Sequence, residues 1–249
     1  MRYIDINCDM GENRGDDAAI IKYISSANIA CGGHAGDVRT MIRTIRLAKA
    51  NGVAIGAHPG YPDRGGFGRS ESGYRGQKLI DEIVRQISVF EAAAVSEGSG
   101  INHIKLHGAL YNKAASDYGL MKNLSKEIIN RFGITTFYTL AGSVSEKAVG
   151  DAGGTAVSEG FADRAYSQDG RLVPRGVPGA VIHNADVAAE RALGMVRSGT
   201  VETLEGLRIS LKVETICVHG DTPGAVAMAA KVNEMLRING IGIGNRDAF

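Results

Sequence analysis

Segments that favour strands and segments that favour helices alternate seven times along the 249 residues of the chain. Short apolar or alternating runs predict strands at 3–9, 27–31, 53–55, 103–107, 135–141, 155–159 and 215–219. Apolar residues at helical spacing predict helices at 16–23, 38–51, 76–97, 117–132, 143–152, 184–199 and 225–239. Because parallel strands need a long crossover, usually a helix, this alternation predicts a parallel α/β fold.

Two of the predicted strands carry polar side chains on one face and apolar side chains on the other. The polar residues are Asp5, Asn7 and Asp9 in the first strand and His103, Lys105 and His107 in the fourth. A doubly wound sheet, covered by helices on both faces, would bury this polar face against apolar side chains. We therefore predict a TIM-barrel-like (β/α) barrel of seven parallel strands with a polar interior, formed by residues 1–249 as one domain.

Composition argues against several classes of function. The formal net charge is +1, so no field of one sign suggests a nucleic-acid or membrane partner. No apolar run approaches the roughly 18 residues of a membrane span, and the chain opens directly into a strand, so we expect a cytoplasmic protein. The three cysteines, Cys8, Cys31 and Cys217, are odd in number and lack Cys-x-x-Cys spacing, which favours packed, reduced thiols.

Polar and ionisable residues follow the predicted strands, and the glycine-rich loop 56–69 is the densest group of them. The strand-end residues are Asp9, Glu12, His34, Asp37, His58, His107, Glu159, Asp163, Arg164, His219 and Asp221, and the loop 56–69 adds Arg64. Because parallel strands present their carboxyl ends on one rim of a barrel, we expect these side chains to converge there.

Carboxylates and histidines around one pocket support two kinds of chemistry. They could bind a divalent metal that activates water, or act without metal, with Asp9 or a histidine as general base and Lys105 or His107 stabilising an oxyanion. No His-Glu-x-x-His motif is present, so the metal hypothesis rests only on the expected convergence of these side chains at the rim. Inside the barrel, Lys105 could either neutralise Asp5 or hold an anionic group of the substrate.

The sequence contains neither a Gly-x-x-x-x-Gly-Lys-[Ser/Thr] motif nor a Rossmann fingerprint, so an ATP site in this chain would be unconventional. The loop 220–224 could offer backbone amides to phosphate, although a tight turn is the favoured interpretation. The polar loop 167–179 carries Arg171 and Arg175 and is too long for an ordinary connection, which predicts a lid or an interface.

Six parts of the chain resemble the LamB/YcsF lactam-utilisation family, which is also the family of 5-oxoprolinase A subunits. They are DINCDMGE (5–12), SANIACGGHAGD (26–37), GAHPGYPDRGGFGR (56–69), KLHGALYN (105–112), FADRAY with DGRLVPRGVPGAVIH (161–183) and VHGDTPGA (218–225). Because these long motifs occur in the right order from end to end, the chain is identified as a member of that family.

The resemblance implies a seven-stranded barrel of the glycoside hydrolase/deacetylase type. It also implies ATP-dependent hydrolysis of the lactam of 5-oxo-L-proline to L-glutamate, performed in a complex with two partner subunits. Together with the strand-end pattern, it predicts catalytic roles for Asp9, His58, Lys105, His107 and Glu159. Substrate-binding roles are predicted for Asn7, Glu12, His34, Arg64, Asp163, Arg164, His219 and Asp221.

The chain departs from the usual family pattern at a few positions. Gly33 stands where phenylalanine is common, Val38 and Leu106 stand where proline is common, and the loop after Glu12 is short. We expect these changes to line the mouth of the site, which leaves another lactam or cyclic amide as an alternative substrate. Two other functions remain open, a stand-alone metal-dependent amidohydrolase or deacetylase and a non-catalytic substrate-binding subunit. A homo-oligomer also remains open.

Overall fold

The computed structural model describes residues 2–245 and places ten strands in them. These are β1 (Arg2–Met10), β2 (Ser26–Ala30), β3 (Ala54–His58), β4 (His103–Lys105), β5 (Thr136–Leu140), β6 (Thr155–Phe161), β7 (Thr200–Glu202), β8 (Arg208–Ser210), β9 (Thr215–His219) and β10 (Ile241–Ile243). Strands β1 to β6 and β9 pair in parallel, and the pairing of β9 with β1 closes the ring. The predicted barrel of seven parallel strands is confirmed.

Helices follow the barrel strands, as the alternating pattern predicted. They are α1 (Asp17–Ile20), α2 (Val38–Ala50), α3 (Gly76–Ser96), α4 (Gly108–Ala114), α5 (Tyr118–Phe132), α6 (Val144–Asp151), α7 (Ala185–Ser198) and α8 (Ala225–Ile238). In α3 the side chains of Leu79, Ile83, Ile87 and Phe90 recur every three or four residues and are buried. They join Ile4, Ile6 and Cys8 of β1 in one hydrophobic core cluster, so apolar side chains fill the space between strands and helices.

Three regions differ from the predicted elements. Strand β4 ends at Lys105, and His107 becomes the N-cap of α4, a helix that begins at a glycine and lacked a recognisable start signal. Strands β7 and β8 form a separate antiparallel hairpin after α7, and β10 pairs with the start of β1 beside the barrel. These strands have three residues each, too few for a periodic pattern to show in the sequence.

Two predictions drawn from composition can be compared with the fold. Cys8, Cys31 and Cys217 are buried and free, which confirms the expectation of packed thiols. Among residues 2–245, no helix is both long enough and apolar enough to cross a membrane.

Gly56, in the middle of β3, makes room for an imidazole inside the barrel. A Cβ atom at this position would lie 2.1 Å from Nε2 of His103, the residue paired with Gly56 on β4. The His103 ring cannot move aside easily, because Nε2 lies 2.7 Å from Oδ1 of Asn28 and the ring stacks on Tyr138 at 4.0 Å. Burial, with the charges of Lys105 and His58, lowers the pKa of His103 to about 3, so this packed imidazole is neutral.

We expect Gly56→Ala to lower the free energy of unfolding by about 1–3 kcal/mol, because the added methyl group overpacks a rigid interior. Gly73→Ala is the matched control, since nothing lies within 4 Å of a Cβ at Gly73 and its φ is not positive. Urea denaturation of both variants measures the difference. Equal stability of the two variants would show that His103 has more freedom than its contacts indicate.

Candidate active site

A carboxylate held by hydroxyl groups occupies the inside of the barrel near its amino-terminal end. Asp5 accepts hydrogen bonds from Oγ of Ser25 at 2.6 Å, Oγ of Ser26 at 2.8 Å and Oγ1 of Thr215 at 2.6 Å. Burial raises the pKa of Asp5, and these hydroxyl groups oppose the rise. The suggestion that Asp5 and Lys105 neutralise one another is wrong, because Lys105 finds its partners further along the barrel.

The ammonium group of Lys105 lies at the centre of the barrel interior, with the residue only 2% exposed. Its Nζ is 2.8 Å from Oδ1 of Asp9 and 2.9 Å from Oε1 of Glu159. The Sγ of Cys217 at 3.0 Å and Oδ1 of Asn7 at 3.1 Å complete its surroundings. A buried cation between two carboxylates is neutralised by the protein, so Lys105 is less available to a substrate anion than its sequence position suggested.

The charges of this group hold Asp9 in its ionised form. Burial alone would raise the pKa of Asp9, but His58 and Lys105 override that effect and hold the pKa well below its ordinary range. Burial would likewise lower the pKa of Lys105, but Asp9, Cys217 and Glu159 raise it well above the ordinary value. The pair is therefore an ionised carboxylate beside an ionised ammonium.

Glu159 is held on both oxygens. Its Oε1 accepts a hydrogen bond from Nδ2 of Asn7 at 2.8 Å, and its Oε2 accepts one from the Tyr111 hydroxyl at 2.6 Å. Asn28 donates to Asn7 and to Asp9 at 2.7 and 2.9 Å, which extends the network across β1 and β2. Such a fully bonded set of polar groups fixes the position of each side chain in it.

Three imidazoles and a carboxylate meet at the carboxyl ends of β1, β2, β3 and β4. His34 stacks on His107 with ring centroids 3.5 Å apart, and His58 meets both rings edge-on. The Oε1 atom of Glu12 is 3.0 Å from Nε2 of His34 and 3.5 Å from Nδ1 of His107. Burial and the neighbouring histidines lower the pKa values of His34 and His107 well below the ordinary range, and burial with Asp9 and Asp221 raises that of Glu12.

Glycines in the loop 56–69 allow these rings to approach one another. A Cβ at Gly68 would lie 2.8 Å from Cβ of His34 and 3.0 Å from Cδ2 of His107, and one at Gly60 would lie 2.9 Å from Cβ of His107. Gly68 also has a φ of +61°, in the left-handed region that glycine tolerates. Close backbone approach therefore explains Gly60 and Gly68.

A cavity of about 410 Å³ opens from this rim. The carboxylates, imidazoles and ammonium group that line it belong to Asp9, Glu12, His58, Lys105, His107, His219 and Asp221. Arg69, Arg164, Arg171 and Arg175 also line the cavity. One small cavity thus contains an ionised carboxylate, imidazoles and several guanidinium groups, which is what an anionic substrate with a reactive polar bond would need.

The strand-end residues converge as expected, but several of them lie behind the cavity lining. Asn7, His34, Glu159 and Asp163 are buried next to residues that do line it, and Asp163 accepts from Thr222 and lies 2.9 Å from Nδ1 of His219.

Two predicted rim residues, Arg64 and Asp37, do not line the cavity and hold the loop backbone in place. Arg64 donates to the carbonyl oxygens of Gly32 and Gly36, and Asp37 caps α2 by accepting from the backbone N–H of Thr40. The placement of Asp37 on the catalytic rim is corrected, since a strand-end acid before a helix can equally be a cap.

The expectation that the unusual residues all line the mouth is wrong in two of three cases. Leu106 lines the cavity, but Val38 is half exposed at the start of α2 and lies outside the lining. Gly33 leaves space that the side chain of Gln86 occupies, because a Cβ there would lie 2.4 Å from Nε2 of Gln86. Gln86 bonds the backbone of Gly60, so this departure concerns loop packing.

Sequence reasoning did not assign Tyr111, Asn28, Cys217 or Arg69 to the site, although all four contact the residues described above. Tyr111 lies within KLHGALYN, but only the helix α4 turns its hydroxyl toward Glu159. Arg69 pairs with Asp221, which joins the loop after β3 to the loop after β9. In the loop 220–224, the backbone N–H of Thr222 donates to the carbonyl oxygen of His219, and that of Ala225 donates to the carbonyl oxygen of Thr222, which agrees with the turn interpretation.

Comparisons with known proteins give consistent matches along the chain. A family model described as LamB/YcsF family matches residues 4–248. A protein from Bordetella parapertussis, named as the A subunit of 5-oxoprolinase, is 43% identical over 245 residues, covering 96% of this chain and 97% of that protein. One of the same name from Natranaerobius thermophilus is 42% identical over 246 residues, covering 97% and 96%. A crystal structure of a lactam utilization protein from Thermus thermophilus is 38% identical, with a TM-score of 0.90 over 97% of this chain and 99% of that chain.

We expect Lys105→Met to lower the free energy of unfolding by about 3–5 kcal/mol, because it leaves Asp9 and Glu159 buried together without a cation. Lys126→Met is the control, since Lys126 is exposed on α5, and there we expect a change within about 0.5 kcal/mol. Chemical denaturation of both variants gives the comparison. A loss below about 1 kcal/mol in Lys105→Met would contradict the central role of this cation.

Proposed function

The chain belongs to the LamB/YcsF family, and from this premise we propose that it is the catalytic subunit of a 5-oxoprolinase. It would hydrolyse the lactam of 5-oxo-L-proline to L-glutamate, coupled to ATP hydrolysis and together with two partner subunits. Relatives more than two-fifths identical to this chain are named as 5-oxoprolinase A subunits, and that name supports both the substrate and the need for partners. The lactam utilization protein from Thermus thermophilus supports the same class of substrate.

The observation that carries this proposal is the distribution of charge around the cavity. 5-Oxoproline has two polar parts, a carboxylate and a lactam amide, separated by one ring atom. The guanidinium groups of Arg164 and Arg175 suit the carboxylate, because a planar fork of donors matches its two oxygens. The lactam would then face Asp9, His58 and His107, which line the same cavity.

Arg164 is prepared for this role by its surroundings. Its Nε and Nη2 donate to the carbonyl oxygens of Ala180 and Val173, which hold the side chain in place. Burial and the neighbouring charge of Arg175 lower the pKa of Arg164 to about 10, so its guanidinium stays charged near neutral pH. An anion bound beside it would stabilise this charged form. Lys105 is already neutralised by two carboxylates, so the arginines are the better carboxylate ligands.

Asp9 is the residue we assign to activate the attacking water. Its carboxylate is ionised, lines the cavity and is held in position by Lys105 and Asn28. After it has taken a proton from water, Asp9 can pass that proton toward the departing ring nitrogen. His58, with Nε2 at 3.3 Å from Oδ2 of Asp9, and His107 beside it fix the position of the carboxylate. Glu159 and Tyr111 act indirectly, by fixing the position of Lys105.

ATP would overcome the low reactivity of an unstrained amide. Transfer of its terminal phosphoryl group to the lactam oxygen would make the ring carbon electrophilic. Water would then add to that carbon, and cleavage of its bond to the ring nitrogen would leave γ-glutamyl phosphate. A second water would release phosphate and give L-glutamate. Because the sequence has no conventional phosphate-binding motif, we propose that the nucleotide acts in the assembled complex. The loop 167–179, whose Arg171, Leu172 and Pro174 line the cavity, is the segment we propose as a lid or partner contact.

The first experiment is reconstitution. We expect glutamate release from 5-oxoproline only when this chain, its two candidate partner subunits and ATP are combined. Hydrolysis by this chain alone without ATP would contradict the proposal and favour the stand-alone amidohydrolase or deacetylase. If no mixture releases glutamate while another lactam is opened with ATP, the substrate assignment is wrong and the role within a multi-subunit complex stands.

The second experiment separates catalysis from mere binding. In the active complex we expect Asp9→Asn to lower kcat by about 100-fold or more, because the amide cannot accept the proton of water. Asp81→Asn, an exposed position on α3, is the matched control and should keep full activity. Assembly of both variants with the partners is checked by gel filtration. Full activity in Asp9→Asn would instead identify this chain as a non-catalytic binding subunit.

A further inference from the structure

Glu12, His34, His58 and His107 each place one donor atom so that the four atoms lie within 4.8 Å of one another. We propose that these side chains bind a divalent transition-metal ion, with zinc the best chemical match. This inference goes beyond the proposed 5-oxoprolinase activity and does not rest on it. Three imidazole nitrogens and one carboxylate oxygen form a ligand set that zinc commonly takes in proteins.

Hydrogen bonds to the backbone orient two of the imidazoles toward the common point. Nδ1 of His58 is 2.8 Å from the carbonyl oxygen of Lys105, and Nε2 of His107 is 2.9 Å from that of Phe67. A carbonyl oxygen only accepts, so each of these nitrogens carries the hydrogen. The other nitrogen of each ring, Nε2 of His58 and Nδ1 of His107, can then present a lone pair, as a metal-binding histidine must.

The two lone pairs face one another, and this requires a cation. Nε2 of His58 and Nδ1 of His107 are 2.9 Å apart, with Oε1 of Glu12 at 3.9 and 3.5 Å from them. Two acceptor nitrogens at this separation repel unless a positive charge lies between or beside them. A metal ion satisfies both rings and the carboxylate together, whereas a shared proton satisfies the rings alone.

The spacing of the donors suits a tetrahedral ion. Metal–ligand bonds of about 2.0–2.1 Å place tetrahedral ligand atoms about 3.3–3.4 Å apart. Four of the six separations among the donor atoms of His58, His107, His34 and Glu12 are 2.9, 3.0, 3.5 and 3.9 Å, and all six are within 4.8 Å. Small movements of rings that already face one another would complete the geometry.

His34 supplies an independent observation. Its ring is buried, and its Nδ1 has no hydrogen-bond partner within residues 2–245. A buried polar nitrogen without a partner is costly, so something other than hydrogen bonding at Nδ1 must hold the ring in place. Stacking on His107 and the approach of Nε2 to Oε1 of Glu12 do so, and they place Nε2 among the donor atoms of the cluster.

The site is also accessible. Glu12, His58 and His107 line the cavity, so an ion could enter from it. A second group of donors, Asp9, Cys217 and His219, lies nearby, but the ammonium of Lys105 already sits against Asp9 and Cys217. That group is therefore closed to a metal ion by an existing cation.

The test measures metal binding directly and needs neither partners nor activity. The full chain, freed of any affinity tag and stripped with chelator, is titrated with Zn²⁺ by calorimetry and with Co²⁺ by visible absorption. We expect about one Zn²⁺ per chain and the intense Co²⁺ absorption of a four- or five-coordinate nitrogen–oxygen site. Absence of stoichiometric binding by the wild-type chain overturns the proposal and leaves the shared proton between His58 and His107.

Matched variants locate the ion. We expect His58→Ala and Glu12→Gln to weaken Zn²⁺ binding by at least about tenfold. His183→Ala and Glu190→Gln, at exposed positions outside the cluster, should bind as the wild type does. Far-ultraviolet circular dichroism checks that each variant is folded. Unchanged affinity in a folded Glu12→Gln and a folded His58→Ala would place the ion elsewhere and overturn the assignment to this cluster. These outcomes do not depend on whether the complex hydrolyses 5-oxoproline.

Discussion

The interior of this barrel depends on the neutralisation of one buried ammonium group, that of Lys105. Moving an ion out of water costs several kcal/mol unless opposite charges and hydrogen bonds replace the lost solvent. Asp9 from β1 and Glu159 from β6 supply those charges at 2.8 and 2.9 Å. A slip of one residue in either strand would turn its carboxylate outward, so the ion pairs and the strand register support one another.

The candidate active site is built outward from this group. Asp9 is shared between Lys105 on the inner side and His58 on the outer side, so the buried cation influences the ionisation of groups at the rim. The arginines and Lys105 all line the cavity, but Lys105 is already paired with Asp9 and Glu159, so the arginines are the cations more available to an anion. This difference explains why the protein needs both kinds of cation within one small volume.

The sequence predicted the barrel because the patterns that indicate each strand and helix lie within short stretches of the chain. The alternation in β1 assigned Asp5, Asn7 and Asp9 to the interior, and apolar spacing assigned the buried face of α3. Shorter elements were missed, among them α4 and the hairpin of β7 and β8, since a few residues carry no readable period. The rim was predicted as a set of residues, but the set also contained the helix cap Asp37 and the loop support Arg64.

The sequence could not show which residues far apart in the chain contact one another. It placed Lys105 inside the barrel, yet either Asp5 or Asp9 could have been its partner, and the closed ring of strands decided for Asp9. It could not show that Gln86 fills the space beside Gly33, or that two backbone carbonyls orient His58 and His107 toward one point. The sequence alone determined which face of each element is polar, because that follows from a period of two or 3.6 residues. Only the tertiary structure decided which polar groups touch, because hydrogen bonds and buried ion pairs depend on distances of a few ångström between residues far apart in the chain.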